Sequence, residues 1–150
     1  MNTENIGDGF VEWQGTRYKT ILPTAATGGA ICIVDSVSPP ESGPPRHVHQ
    51  DADETFVVLS GDVTFWMEGE TVNVGPGGTI FVPRGKEHTF RVSSHGPSRH
   101  LVILTPGGFE GFFDEMAEGQ FAIPQDMDKI VAVAERYQLA FTGPPLDAQD

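Results

Sequence analysis

Residues 47–61 read His47-Val48-His49-Gln50-Asp51-Ala52-Asp53-Glu54-Thr55-Phe56-Val57-Val58-Leu59-Ser60-Gly61, a β-type alternation interrupted by one polar turn. Alternate strand residues point to the same side, so His47 and His49 project into one space while Val48 faces the other way. Two imidazoles placed side by side suit one metal ion. Glu54 lies an odd number of positions beyond His49, and an unbroken strand would send it to the opposite face. Gln50-Asp51-Ala52-Asp53 is polar enough to turn the chain and reset that parity, which lets Glu54 return to the histidines. Phe56 and Val58, at even offsets from Glu54, then share its face.

Working outward, short β-rich segments recur at 17–22, 29–37, 54–59, 63–67, 71–74, 79–82, 88–92 and 100–104. Regular strands of this kind predict a sandwich or barrel. Ser60-Gly61-Asp62 and Glu68-Gly69-Glu70 are hairpin connections, and Pro76-Gly77-Gly78 and Pro83-Arg84-Gly85 mark further reversals. The middle of the chain is therefore mostly antiparallel. His88 follows the turn Pro83-Arg84-Gly85-Lys86-Glu87 and opens an inward-facing strand that also carries Phe90. His95 and His100, in or beside Ser93-Ser94-His95-Gly96-Pro97-Ser98, are expected at the surface.

After Pro106 the period changes. Phe109, Phe112, Phe113 and Met116 form the stripe of one helix face, and Met127, Ile130, Val131 and Ala134 form a second behind Pro124. Both stripes are expected to dock on the outside of the barrel, with 143–150 a frayed tail. This places a barrel core at about 17–106 and a helical segment at about 108–140 within one domain, 1–150, a length that can bury a core without staples.

Bulk composition narrows the function. A net charge of −12, with only nine scattered Lys and Arg residues, disfavours nucleic acid and anionic membranes as partners. Residues 1–8 carry no secretory pattern and no apolar run spans a bilayer, so the expected location is the cytoplasm. Cys32, the single cysteine, has apolar neighbours and reads as a buried thiol. Gly75-Pro76-Gly77-Gly78 lacks the lysine of a phosphate-binding loop, and no Gly-x-Ser-x-Gly elbow is present.

His47-Val48-His49, four residues, Glu54, six residues, Gly61 resembles the first motif of the cupin family. Gly77, five residues, Pro83-Arg84-Gly85, two residues, His88 resembles the second. The likeness covers about residues 28–107. Two positions depart from the pattern: Glu41 stands where the first motif usually opens with glycine, the nearest being Gly43, and Val92 stands where an asparagine often closes the second. The resemblance implies an all-β jelly-roll barrel with one or two C-terminal helices, and a metal bound by His47, His49, Glu54 and His88. Lone histidines are more often satisfied core or surface groups than ligands. Four residues of the right types, order and spacing are much less easily dismissed.

Three imidazoles and a carboxylate suit one divalent transition ion, Fe, Mn, Ni, Co or Zn, and disfavour calcium and magnesium. Phe56, Val58 and Phe90 are expected to form an apolar pocket for a small, largely hydrophobic or aromatic substrate. The whole-chain pattern, including Phe81-Val82-Pro83-Arg84-Gly85, the run Thr105-Pro106-Gly107-Gly108-Phe109-Glu110-Gly111-Phe112-Phe113 and the helical end, is similar to small bacterial cupins of the quercetin 2,3-dioxygenase kind. That likeness implies a metal-dependent dioxygenase of a flavonol-like substrate, with Glu54 accepting the substrate proton and carbon monoxide released, and a homodimer. A non-redox isomerase, cyclase or lyase stays open as an alternative, with Tyr18, Tyr137 and Glu87 as candidate proton donors or bases. So does a non-catalytic binding barrel.

Overall fold

The alternation of inward apolar and outward polar residues closes the chain into two facing antiparallel sheets. The computed structural model describes residues 9–147. The strands are β1 (Val11–Trp13), β2 (Thr16–Leu22), β3 (Cys32–Ser38), β4 (Pro45–His49), β5 (Asp53–Ser60), β6 (Val63–Met67), β7 (Glu70–Val74), β8 (Thr79–Val82), β9 (His88–Val92), β10 (Ser98–Thr105) and β11 (Leu139–Pro145). Helices α1 (Glu110–Gly119) and α2 (Met127–Arg136) lie between β10 and β11. One sheet has the order β1-β2-β3-β10-β5-β8 and the other β11-β4-β9-β6-β7, the arrangement of a jelly roll.

On β5 the inward residues are Glu54, Phe56 and Val58, and on β10 they are Ser98, His100, Val102 and Leu104. Phe56 meets Phe65 across the two sheets at 4.9 Å between ring centroids. Val34, Val58, Val63, Val92 and Leu104 are fully buried beside them. Each large apolar side chain removed from water contributes about 1.5–3 kcal/mol to this core. Cys32 is buried in it, as expected.

The two ends of the chain depart from the sequence reading. The barrel begins before residue 17: Gln14 and Gly15, with φ of 54° and 78°, make a tight turn of the left-handed type that pairs β1 with β2. The expected tail from 143 is instead the end of β11, which pairs Leu139 with His49 and Phe141 with His47. Gly143-Pro144-Pro145 reads as loop, yet β11 is an edge strand, where prolines cost no ladder hydrogen bond. Leu146 beyond it is buried. The readings of 1–8 and of 148–150 lie outside the described residues. Among the described residues, no helix is long and apolar enough to cross a membrane.

The helices divide in role. Ile130 and Ala134 bury two positions of the α2 stripe in docking, whereas Val131, expected on the same face, is exposed. The stripe of α1 does more than dock, because Phe109, Phe112 and Phe113 line the interior cavity. Gly43 accounts for the glycine displaced from the first motif. A Cβ there would fall 1.9 Å from the carbonyl oxygen of Phe90, so only glycine lets the loop before β4 lie against β9.

Candidate metal centre

His47 and His49 come from β4, and His47 is the cross-strand partner of His88 on β9. These three belong to the five-stranded sheet, whereas Glu54 stands on β5 in the six-stranded sheet. Residues 50–52 therefore carry the chain from one sheet to the other, and the polar turn read from the sequence is this crossing. One side-chain donor atom from each of His47, His49, Glu54 and His88 lies within 4.8 Å of the other three. Glu54 Oε1 is 2.7 Å from His88 Nε2 and 3.5 Å from His49 Nε2.

The turn at 83–85 holds this arrangement. Gly85 N–H donates to the His49 carbonyl at 2.8 Å, and Arg84 donates to Asp53 Oδ1 from its backbone N–H at 2.9 Å and its Nε at 3.2 Å. Both ends of the crossing are thus tied to the loop that leads into His88.

The backbone also sets the imidazole tautomers. His47 Nδ1 is 2.7 Å from the Pro45 carbonyl and His88 Nδ1 is 2.9 Å from the Lys86 carbonyl. A carbonyl only accepts, so each Nδ1 carries the proton and each Nε2 is left for the centre of the cluster. The donor set fits a divalent ion: one carboxylate, and imidazoles oriented by hydrogen bonds behind them.

Burial and mutual charge tune the four groups. Burial, reinforced by the neighbouring histidines, pushes His47 down to about 3. His49 is also lowered, mainly by burial. Burial works to raise the Glu54 carboxyl, but His49, His88 and His47 outweigh it and hold it at about 2. Burial likewise works to lower His88, yet its hydrogen bond and attraction to Glu54 win and raise it. Without a cation the cluster pairs a carboxyl held low, Glu54, with an imidazole held high, His88, and the two share a proton-mediated contact at 2.7 Å. A divalent ion would take the place of that proton.

The cluster opens on a cavity of about 360 Å³, lined by Phe56, Phe90, Phe109, Phe112 and Phe113 among others. Phe109 sets its edge against the His49 ring at 4.6 Å. Of the expected pocket residues, Phe56 and Phe90 line this cavity. Val58 does not: its side chain is fully covered by the core, one strand position too far along β5. Tyr18 lines the cavity, stacked on Phe113 at 4.4 Å, and burial lifts its hydroxyl to about 12, so it stays protonated. Tyr137 is turned away to Glu115, and Glu87 does not line the cavity.

His100 is the main correction. It was expected at the surface, with His95, which is indeed exposed. Instead it is 1% exposed and lines the cavity. Strand β10 starts at Ser98, two residues before the expected start, and the alternation Ser98, His100, Val102, Leu104 sends all four inward. That period-2 pattern was the signal available in the sequence. Burial pushes His100 down to about 4. In the unfolded chain the same imidazole titrates near 6.5, so below that pH the unfolded state binds the extra proton and stability is lost as pH falls towards 4. Replacing His100 with leucine should therefore shrink the stability lost between pH 7 and 5 by about 2 kcal/mol, measured by urea unfolding of metal-free protein. An unchanged pH dependence would show that His100 is charged or solvated in the fold.

A family model for the cupin domain matches residues 35–104. Residues 35–104 are a cupin domain. Within this cupin, 101 residues, 67% of the chain, are 33% identical to quercetin 2,3-dioxygenase of Bacillus subtilis (strain 168). The match takes in only 30% of that relative's length. Among solved structures, KdgF from Halomonas sp. superimposes with a TM-score of 0.63 at 18% identity, covering 74% of this cupin and 96% of KdgF. The polyketide cyclase RemF from Streptomyces resistomycificus superimposes with a TM-score of 0.55 at 26% identity, covering 65% and 67% of the two chains.

Proposed function

We propose that this cupin is a metal-dependent enzyme in which His47, His49, Glu54 and His88 hold one divalent ion, Fe, Mn, Ni, Co or Zn, and that it oxidises a small phenolic or flavonol-like substrate with dioxygen. The observation that carries the reading is a buried three-histidine, one-carboxylate cluster opening on a phenylalanine-lined cavity. The similarity to quercetin 2,3-dioxygenase supports the choice of reaction, over the part of that protein's length that is matched.

A bound divalent ion supplies positive charge that acidifies a substrate hydroxyl and stabilises the resulting oxyanion. Glu54, ionised and buried, is the group placed to take the hydroxyl proton. Phe56, Phe90 and Phe109 flank the substrate ring and exclude water, which strengthens each electrostatic contact inside. Asp53, Arg84 and Gly85 keep Glu54 and His49 in register with His88.

A second reading, non-redox cyclisation or isomerisation of a ring-bearing substrate, is supported by the 26% identity to RemF and by the protonated Tyr18 hydroxyl in the cavity. The deciding experiment is oxygen uptake by protein reloaded with each candidate metal, against a flavonol and catechol panel. Uptake that needs both metal and substrate supports the dioxygenase. Turnover undiminished under nitrogen overturns it in favour of the second reading, and no turnover in either atmosphere overturns both.

The homodimer belongs to the same proposal. Edge strand β8 leaves Phe81 54% exposed, and Leu59 on its neighbour β5 is 45% exposed. Apolar residues on a free edge suit pairing across a two-fold axis. Light scattering should give twice the chain mass at high micromolar concentration, and Phe81→Glu should give the monomer. A monomeric wild type would remove the dimer.

A further inference from the structure

The inner wall of the six-stranded sheet changes in polarity along the cavity. Strand register sets Tyr18 beside Ser36, Ser36 beside His100 and His100 beside Val58 in one row. The next inward row holds Val34, Val102 and Phe56, and the one after it holds Leu104 and Glu54. His100 and Leu104 are four residues apart on β10, about 13 Å at the rise of a strand. The cavity wall thus has the Glu54 cluster at one pole, an apolar stretch at Val102, Phe56 and Phe90, and beyond it a polar row at Tyr18, Ser36 and His100. Each residue named in that stretch and that polar row lines the cavity.

His100 is not engaged elsewhere through the nitrogen that matters. Its Nδ1 lies 3.3 Å from Ser98 Oγ, and its ring meets Phe90 at 5.1 Å and Phe56 at 5.8 Å between centroids. Among the described residues nothing hydrogen-bonds Nε2, yet no fully buried side-chain nitrogen or oxygen is left without a partner. Nε2 therefore faces cavity space, not packed protein. The neighbouring inward positions on β10 are Val102 and Leu104, and an aliphatic residue at 100 would pack the wall without the desolvation cost of an imidazole. Since the Ser98 hydroxyl can turn either way, Nε2 can donate to a carbonyl or accept from a hydroxyl.

We propose that His100 is the second binding contact of this cavity, hydrogen-bonding an oxygen at the far end of a ring-bearing ligand whose other oxygen lies at the His47, His49, Glu54 and His88 cluster. The assignment rests on reading that cluster as the metal site. It narrows the substrate class to molecules of about two or three rings with oxygens at opposite ends, a size that suits a cavity near the lower end of the range for small-molecule sites.

The test compares 2-naphthol with 2,6-dihydroxynaphthalene, titrated calorimetrically under nitrogen into zinc-loaded protein. Wild type should bind the diol about five- to tenfold more tightly than the mono-ol, the size of one net neutral hydrogen bond. In His100→Leu the ratio should fall to about two, the statistical advantage of a symmetric diol. Zinc content and 2-naphthol affinity should be unchanged, and His100→Gln should restore part of the preference. As a check that needs no variant, the His100 imidazole nitrogen resonance of wild type should move with the diol and not with 2-naphthol. Equal affinities in wild type, a preference that survives His100→Leu, or an unmoved resonance overturns the role of His100 and leaves the metal site standing. Zinc-loaded wild type that binds neither naphthol overturns the assignment as well. Wild type that takes up no zinc overturns the reading of the cluster, and the assignment with it.

Discussion

Glu54→Gln should lower the single-turnover rate by about a hundredfold or more while removing only part of the bound metal. The amide keeps an oxygen that can face a cation, but it is a poor base. The size of the expected loss is that of general-base catalysis. Glu54 is suited to the task because it is buried and yet ionised: burial alone would raise its pKa, and three histidines hold it at about 2. The change also removes the charged partner of His88, which then loses the attraction that raises it. Metal content, substrate affinity and single-turnover rate should be measured on one preparation, with a substrate found by oxygen uptake. A variant that keeps both its metal and the wild-type rate would leave Glu54 as a ligand without a proton-transfer role.

His49→Ala should weaken metal binding by more than about a hundredfold, since even loss of a hydrogen bond behind a ligand costs ten- to a hundredfold. The fold should survive. His49 is at the end of β4, with its ring against Phe109 and its backbone tied to Leu139 and Gly85, and those backbone pairings do not depend on the side chain. The core around Phe56, Phe65 and Leu104 is untouched. Elemental analysis and thermal unfolding of the same sample should show a metal-poor protein that still unfolds cooperatively. Full occupancy in the variant would remove His49 from the ligand set.

The strands of the barrel and the four clustered side chains were legible because their signal is local. His47 and His49 share a face through the two-residue period of a strand, and Phe56 follows Glu54 by the same rule. Gln50-Asp51-Ala52-Asp53 announced a turn by its polarity alone. Gly43 could be noticed as displaced, but the reason for it, contact with the Phe90 carbonyl, belongs to a different strand.

Residues whose place depends on a distant partner were read wrongly or left open. His100 looked like surface because Ser98 and Gly96-Pro97 resemble loop and hide the period-2 pattern that starts there, and the pairing of β10 with β3 and β5 is what extends the strand back to Ser98. Val58 keeps the parity of Glu54, yet it lies beside His100 and is covered by core, because parity gives the face of a strand and not the depth along the barrel. The Phe109, Phe112 and Phe113 stripe had a helical period whether it docked outside or closed a cavity. Its position over His49 comes from the packing of α1 against the barrel. Likewise, Gly143-Pro144-Pro145 becomes a strand only because β4 has a free edge to receive it. Period, turn chemistry and side-chain type act over a few residues and are written in the chain. Cavity depth, edge pairing and the meeting of β4, β5 and β9 at one point arise between residues far apart in sequence, and long-range packing alone decides them.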